Sequence, residues 1–179
     1  KKLNPPIKHL FVWNSDIANC TPDSSNVRDG LKRKDLFTVV HDTFWTDSCM
    51  YADVVLPADT QLEHIDLHAP YGHYYFSLTQ QAIKPLGESK SNQDLFRDLA
   101  RHMGYKEKCF KESDESMIKN MIDPKHNPLF KGVTYQKLKK NGWVKGDVNN
   151  PRRNYLKTGW PTKDKKIQIY SEDTKKIGL

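Results

Sequence analysis

Polar side chains stand where three short apolar runs of this sequence end. Asn14-Ser15-Asp16 follows the first run, His41-Asp42 follows the second and Pro57-Ala58 follows the third. Carboxylates at such points can accept paired N–H bonds from one flat ligand edge, and these charge-assisted pairs are strong and selective. Helix starts near Ser24 and Asp47 would also present free backbone N–H groups that suit phosphate oxygens. The pattern indicates a nucleotide-like ligand, although polar strand ends are also what any strand-to-helix loop shows.

The elements that must position these residues alternate between strands and helices. Apolar strands are predicted at 9–13, 36–40 and 53–57, and helices at 22–30, 46–52 and 91–104. Continuous apolar strands separated by helices are typical of a parallel sheet that is covered on both faces. Ligands of doubly wound sheets bind beyond the carboxyl ends of the strands. We therefore predict an α/β fold, with a three-layer, mostly parallel Rossmann-like sheet and helices on both faces.

The composition of the chain changes near residue 104. Residues 1–104 carry 11 Lys and Arg against 13 Asp and Glu, whereas residues 105–179 carry 18 against 9. We predict a Rossmann-like part over 1–104 and a basic helical or irregular extension over 105–179. In the extension we expect helices at 113–122 and 134–141, a connector at 141–163 and a strand at 166–170.

The basic half permits an alternative function as a nucleic-acid or polyanion-binding module. Its lysines are scattered singly and in pairs, and no recognised nucleic-acid-binding motif accompanies them. An ordinary solvated surface is therefore the favoured interpretation, and nucleic acid is a disfavoured partner.

Familiar catalytic motifs are absent from the sequence. It contains no dinucleotide-binding glycine motif, phosphate-binding loop, nucleophile elbow or H-E-x-x-H pair, so we assign no catalytic residue. His64 and His68 are four residues apart and could hold zinc from one helix face, with His73 close by. Pro70 and Gly72 make this segment irregular and favour surface or hydrogen-bonded histidines, so we assign no metal ligand.

Cysteine content and apolar run length limit the class of protein. The three cysteines form no C-x-x-C pair, which excludes a disulfide-built fold or a four-cysteine metal site here and suits a reducing, cytoplasmic location. No apolar run approaches the roughly 20 residues of a membrane span, so we expect no membrane insertion. The sequence opens without Met or a leader, which predicts a piece of a longer chain.

The strand-end residues resemble those of a known family. The segments 11–16, 39–48 and 51–58, with the helix starting at Ser91-Asn92, resemble the third domain of the molybdopterin oxidoreductases of the dimethyl sulfoxide reductase and formate dehydrogenase type. The resemblance is good over residues 7–104 and weaker through 105–170, which resemble the passage into the last domain. It implies a fragment of a molybdenum or tungsten oxidoreductase catalytic subunit that is inactive alone.

The resemblance also implies a cofactor site. In that family the third domain clasps part of a molybdopterin guanine dinucleotide, and transfer of the resemblance by position implies these contacts: Asn14, Asp16, Cys20, His41, Asp42, Ala58 and Asn92. Asp16 and Asp42 would accept hydrogen bonds from the donor-rich edge of the guanine base or of the pterin. The metal ligand and a 4Fe-4S cluster would lie in other parts of the parent, and the isolated piece need not hold any cofactor. The implied partners are the other parent domains and an electron-transfer subunit.

Two departures from the family pattern concern the site and the substrate. Cys20 stands where the family often has Ser or Thr, which puts its cofactor contact in doubt. The segment 68–75 replaces a stretch typical of the formate dehydrogenase branch, so the resemblance disfavours that branch and assigns no substrate.

Overall fold

The computed structural model describes residues 4–148, 155 and 159–176. The chain divides into two compact units, residues 1–146 and 147–179. The first unit holds two three-stranded sheets and the helices that pack on them. No helix in the described part of the chain combines the length and the apolar character needed to cross a membrane.

The first sheet is parallel, with its strands in the order β1-β2-β3. These strands are β1 (His9–Trp13), β2 (Phe37–Asp42) and β3 (Val54–Pro57). The crossovers contain α1 (Ile17–Cys20), α2 (Ser24–Leu31) and a 3₁₀ helix (Asp47–Tyr51). The predicted α/β fold with a parallel sheet and helices is confirmed, and the three-layer Rossmann-like description stays a prediction.

One face of this sheet packs against the crossover helices. Val12, Val40 and Cys49 are buried there together, and the partly buried Ile17 and Val55 complete the cluster. Burying a valine side chain such as Val40 stabilises the fold by roughly 1.5–3 kcal/mol relative to leaving it exposed. The β-branched strand residues therefore fix which face of the sheet lies against the helices.

The opposite face carries α3 (Asn92–His102). Phe96 of this helix contacts Phe11 and Trp13 of β1, with ring centroids 5.8 and 5.2 Å apart. The helix begins where the Ser91 hydroxyl accepts the Asp94 N–H at 3.1 Å, which satisfies one of the free donors of the first turn. Lys90 forms a parallel bridge with Ala58, so α3 starts at the carboxyl edge of the sheet.

The second sheet is antiparallel and was not predicted. It joins β4 (Asp66–His68), β5 (Tyr75–Thr79) and β6 (Trp143–Lys145). The prediction of a connector starting at residue 141 is wrong for β6, and β4 includes His68, which was predicted to lie in an irregular segment. Two of the three strands have only three residues, and β6 pairs with a strand almost 70 positions earlier, so neither leaves a strong local pattern.

Two further helices cover the antiparallel sheet. They are α4 (Asp114–Met121) and α5 (Tyr135–Asn141), as the sequence predicts. Their apolar residues form one core with β5: Phe76, Leu78, Ile118, Ile122, Val133, Tyr135 and Leu138. Gly146 follows β6 and must be small, because a Cβ there would lie 2.8 Å from the Phe76 ring.

The second unit is described over 147–148, 155 and 159–176. It contains a short helix, α6 (Glu172–Lys176). The predicted strand at 166–170 is wrong, since these residues form bends and irregular chain, and Ile169 is 97% exposed. Much of the predicted connector at 141–163 lies outside the described residues. The domain boundary at residue 104 and the basic extension stay predictions.

Candidate functional site

A polar cleft of about 560 Å³ opens at the carboxyl edge of the parallel sheet. The loops after β1, β2 and β3 and the first turn of α3 form its walls. Its volume falls within the range of small-molecule sites. Five of the residues predicted to contact a cofactor line it together: Asn14, Asp16, Asp42, Ala58 and Asn92.

The loop after β1 forms one wall of the cleft, and hydrogen bonds of Asn14 and Asp16 hold it in place. Asn14 adopts a left-handed conformation (φ 50°), which Asn tolerates better than most residues, and its N–H donates to the His41 carbonyl at 3.2 Å. Asp16 Oδ1 accepts the backbone N–H and the hydroxyl of Ser48, at 3.1 and 2.6 Å. The Ser48 hydroxyl bond holds the pKa of Asp16 below its ordinary value, so this carboxylate stays ionised at neutral pH.

Asp42 stands at the centre of the cleft edge because β2 is the middle strand. Its Oδ1 accepts the Phe44 N–H at 3.1 Å, and its carbonyl accepts the Ala58 N–H at 3.0 Å. Its Oδ2 has no hydrogen-bond partner within the described part of the chain. Asp42 therefore offers the cleft an acceptor that can still bind a ligand N–H.

Asn92 is the first residue of α3 and contributes a second free acceptor. Its Oδ1 is buried and has no hydrogen-bond partner within the ranges that the structure describes. A buried polar atom without a partner costs about 1–3 kcal/mol, which a donor group in the cleft would offset. Asn92 thus fits a ligand that presents N–H groups.

Two of the predicted contact residues do not reach the cleft. His41 is only 1% exposed and lines a separate cavity beneath α3, with Phe11, Leu56 and Leu95. Successive strand residues point to opposite faces of the sheet, and the His41 side chain lies on the face that α3 covers. Cys20 ends α1 as an exposed residue and does not line the cleft. The expectation that His41 converges with Asp16 and Asp42 is wrong in this structure.

A carboxylate–imidazole pair in the cleft wall was missed by the sequence analysis. Asp59 Oδ1 lies 2.9 Å from His64 Nδ1, and Asp59 is 7% exposed. Burial raises the pKa of Asp59, and the attraction of His64 opposes that rise. The pair lies beyond the Pro57 strand end, and the only sequence signal for it was the unexplained run of polar residues after Ala58.

Glu63 fixes the loop that carries this pair. Its two carboxylate oxygens accept the N–H groups of Thr60 and Leu86, at 2.6 and 2.7 Å. The Thr60 N–H bond is the main reason that the pKa of Glu63 lies below its ordinary value. The Glu63 side chain therefore links the loop at Thr60 to the loop at Leu86 and holds the cleft wall in position.

The charge of the cleft favours hydrogen-bond donors over anions. Four carboxylates line it, those of Asp16, Asp42, Asp59 and Asp66, and neither Lys nor Arg is among the described lining residues. Carboxylates repel phosphate and attract N–H groups. The arrangement can hold the donor edge of a base, and it leaves any attached phosphates to be neutralised elsewhere.

The three histidines considered as zinc ligands each have a different partner. His64 pairs with Asp59, His68 Nε2 lies 2.8 Å from the Thr79 hydroxyl, and His73 Nδ1 accepts the Tyr75 N–H at 3.1 Å. Among the described residues no group of three or more His, Cys, Asp or Glu side chains could hold a metal ion. The structure therefore gives the zinc hypothesis no support.

Comparison with known proteins points to one family. Residues 1–102 match the family model of the molybdopterin oxidoreductases. The chain is 41% identical over 178 residues to the probable oxidoreductase YoaE of Bacillus subtilis, covering 99% of this chain and 26% of that protein. It is 34% identical over 146 residues to the F420-dependent formate dehydrogenase subunit alpha of Methanocaldococcus jannaschii, covering 80% of this chain and 21% of that protein.

A solved structure agrees with these sequence matches. The acetylene hydratase of Pelobacter acetylenicus superposes with a TM-score of 0.70 and 25% identity, covering 97% of this chain and 23% of that one. The chain thus spans about a quarter of the length of the relatives that it matches.

Proposed function

The chain belongs to the molybdopterin oxidoreductase family, and from this premise we propose that its cleft holds the guanosine end of a molybdopterin guanine dinucleotide. The parent is a molybdenum or tungsten oxidoreductase catalytic subunit, and this chain is a binding part of it. The lengths of the relatives support this assignment, because each is about four to five times as long as the region that this chain matches. The alternative of a nucleic-acid-binding module is not favoured by these relatives.

The proposal rests mainly on two residues that line the cleft, Asp42 and Asn92, because each keeps a side-chain oxygen that can accept a hydrogen bond from a ligand. Among the described residues the Asp42 carboxylate accepts only the Phe44 N–H, through Oδ1, and the buried Asn92 Oδ1 has no hydrogen-bond partner. Guanine presents its ring N1–H and its 2-amino group on one edge, whereas adenine has no ring N–H there. A carboxylate that accepts both donors forms a charge-assisted, geometrically selective pair. The acceptor set fits guanine and discriminates against adenine.

The other cleft residues have supporting roles in this proposal. Asp16 and Asn14 shape the wall after β1, and Ala58 leaves room for close approach to the backbone. When bound, the metal–pterin group supplies the redox centre. The cleft residues of this chain would bind and orient its guanosine end.

The diphosphate of the dinucleotide requires cations outside the cleft. The described lining residues include four carboxylates and only one imidazole, that of His64. We therefore place the diphosphate next to other domains of the parent. A 4Fe-4S cluster and an electron-transfer subunit are proposed for the parent on the family resemblance, and not for this chain.

Calorimetric titration of the chain with three nucleoside diphosphates tests this function. Guanosine 5′-diphosphate should bind about tenfold more tightly than inosine 5′-diphosphate, which lacks the 2-amino group, because a hydrogen bond to a charged group contributes about 1.5 kcal/mol. Adenosine 5′-diphosphate should bind least tightly to this cleft. The affinity for guanosine 5′-diphosphate should stay weaker than micromolar, since one part of the parent keeps only a share of the contacts.

Two variants sharpen this test. Asp42→Asn should remove the preference for guanine over adenine, whereas Asp29→Asn on α2 should keep it, since within the described ranges Asp29 pairs only with Lys32, on the surface. Equal affinity of the cleft for the guanine and adenine nucleotides, measured from the NMR shifts of the Asn14 and Asp42 amides so that binding at any other site is not counted, would overturn the proposal. So would sub-micromolar binding, because the isolated piece would then hold the nucleotide without the rest of the parent.

A further inference from the structure

A second charged cavity lies toward the C-terminal end of α3. It measures about 450 Å³ and forms between the last turns of α3, the turn at Gly104 and a 3₁₀ helix (Lys108–Lys111). It shares no lining residue with the cleft of the proposed function. With 11 residues at about 1.5 Å each, α3 separates its two ends by roughly 16 Å. The cavity is therefore a distinct candidate site.

Cations dominate the lining of this cavity. Arg97, Arg101, Lys106 and Lys111 face it, against the single carboxylate of Asp98. That carboxylate is already bound by Lys90 and Arg101, at 2.5 and 2.8 Å. The Lys90 bond is the main reason that the pKa of Asp98 lies below its ordinary value. The cavity thus attracts anions, in contrast to the cleft.

Two of the cations are free to bind a ligand. Arg97 is held by Asp94 and Asp114, whereas the ammonium groups of Lys106 and Lys111 have no ion-pair partner in the described part of the chain. The C-terminal end of a helix carries partial negative charge and disfavours an anion. An anion here must therefore be held by the lysine and arginine side chains and not by the helix backbone.

The nearby acidic side chains that do not line the cavity are engaged elsewhere. Glu107 accepts the backbone N–H of Lys106 at 2.9 Å. Glu112 accepts hydrogen bonds from Ser116 and Asn120, at 3.4 and 3.1 Å.

An aromatic surface borders the same cavity. Tyr105 stacks on Phe110 with ring centroids 5.6 Å apart and an interplanar angle of 27°. The pair covers one face of Tyr105, and the residue remains 48% exposed. A planar ring can stack on such a surface, as bases do on aromatic side chains in nucleic-acid-binding proteins.

We propose that this cavity binds a mononucleotide phosphate. The base stacks on the open side of Tyr105, and the phosphate lies between Arg101, Lys106 and Lys111. The volume suits a ligand of this size, and small-molecule sites combine apolar surface with a few convergent polar groups in the same way. The site is independent of the proposed cofactor function, which uses the opposite end of α3.

Nuclear magnetic resonance titration of the ¹⁵N-labelled chain with adenosine 5′-diphosphate tests the site. Adenine is chosen because the cleft is proposed to recognise guanine. Saturable amide shifts are expected at Gly104 and through residues 105–111, with no comparable shifts at Asn14 or Asp42. Ribose 5-phosphate should bind at the same place about fivefold more weakly, because it lacks the ring that stacks on Tyr105.

Three variants separate a built site from general attraction. Lys106→Ala/Lys111→Ala should weaken adenosine 5′-diphosphate at least about tenfold. Lys125→Ala/Lys145→Ala removes two exposed charges elsewhere in the same unit and should leave the affinity unchanged. Tyr105→Ala should weaken adenosine 5′-diphosphate and leave ribose 5-phosphate unaffected. If an alanine variant fails to fold, Lys106→Gln/Lys111→Gln replaces it.

Four outcomes would overturn the proposal. Binding that does not saturate would exclude a site. Equal affinity for inorganic phosphate and adenosine 5′-diphosphate would show an adventitious ion only. Equal weakening by the Lys125 and Lys145 control would show unspecific charge attraction. Shifts confined to the cleft would show that the adenine nucleotide uses the other site.

Discussion

Ser48 donates both its backbone N–H and its hydroxyl to one carboxylate oxygen of Asp16, at 3.1 and 2.6 Å, across 32 positions of sequence. The same hydroxyl accepts the Ala18 N–H at 3.1 Å. These bonds join the loop after β1, which forms one wall of the cleft, to the 3₁₀ helix after β2. The cleft is thus held by the fold before any ligand binds.

Removal of the Ser48 hydroxyl should destabilise the chain. Ser48→Ala deprives the Asp16 carboxylate of one donor and leaves the Ala18 N–H without its acceptor in a buried place, so the free energy of unfolding should fall by about 1–3 kcal/mol. Urea denaturation measures this change. Ser25→Ala on the exposed face of α2 is the matched control and should change the free energy little. Equal stability of the two variants would refute the bridging role.

The stabilising contribution of Asp16 should depend on pH. Its folded-state pKa lies below the ordinary value of 3.8, chiefly through the Ser48 hydroxyl bond. A lowered pKa means that the contribution is full above pH 3.8 and is lost as the pH falls through the folded-state value. The destabilisation caused by Asp16→Asn should therefore be larger at pH 7 than near pH 3. A carbon-13 titration of the Asp16 carboxyl that gave a pKa above 3.8 would contradict this expectation.

Glu63 should matter for both stability and ligand binding. Glu63→Gln keeps one acceptor and loses the charge-assisted bond to Thr60 or Leu86, so the free energy of unfolding should fall by about 1–3 kcal/mol. Because the loop at Thr60 also carries Asp59 and His64, guanosine 5′-diphosphate should bind less tightly to this variant. The exposed Glu88→Gln variant is the control. A similar fall in the free energy of unfolding in both variants would refute the role of Glu63 in linking the two loops.

Substitution of His41 separates packing from ligand contact. Both ring nitrogens of His41 are buried without partners among the described residues. Replacing an unpaired polar side chain with an apolar one of similar shape is nearly neutral or stabilising. His41→Phe should therefore keep the free energy of unfolding within about 1 kcal/mol or raise it. Calorimetry should find unchanged affinity for guanosine 5′-diphosphate. A large loss of affinity would instead support the ligand contact of His41 that was predicted from the sequence.

Local patterns were sufficient to predict the parallel sheet from the sequence. The strands β1, β2 and β3 are short continuous apolar runs, and α3 has both an N-cap at Ser91 and a terminating Gly104. Such signals lie within a few residues of each other. The antiparallel sheet has no comparable signal, because the pairing of Phe76 with Val144 depends on tertiary contacts.

The candidate site was predictable in part for the same reason. Asp16 and Asp42 follow recognisable strand ends, and the order of parallel strands places those ends side by side. His41 could not be assigned correctly from its position alone, since the face on which a strand residue lies depends on register. The Asp59–His64 pair was missed because the long-range Glu63–Leu86 bond sets the path of that loop.

The false strand at 166–170 shows the opposite error. Lys166 to Tyr170 alternate between polar and apolar side chains, a pattern typical of a half-buried strand. Ile167 and Ile169 are both exposed, and no partner strand lies beside them in the described part of the chain. Alternation alone therefore did not distinguish a strand from an exposed irregular segment.

Titration of the isotope-labelled chain with guanosine 5′-diphosphate tests the central claim most directly. The account predicts saturable shifts of the Asp42 carboxyl carbon and of the Asn92 side-chain amide, with little change at Cys20 or His41. Inosine 5′-diphosphate should produce smaller shifts at the same two groups. Saturable binding that leaves both Asp42 and Asn92 unshifted would contradict the account.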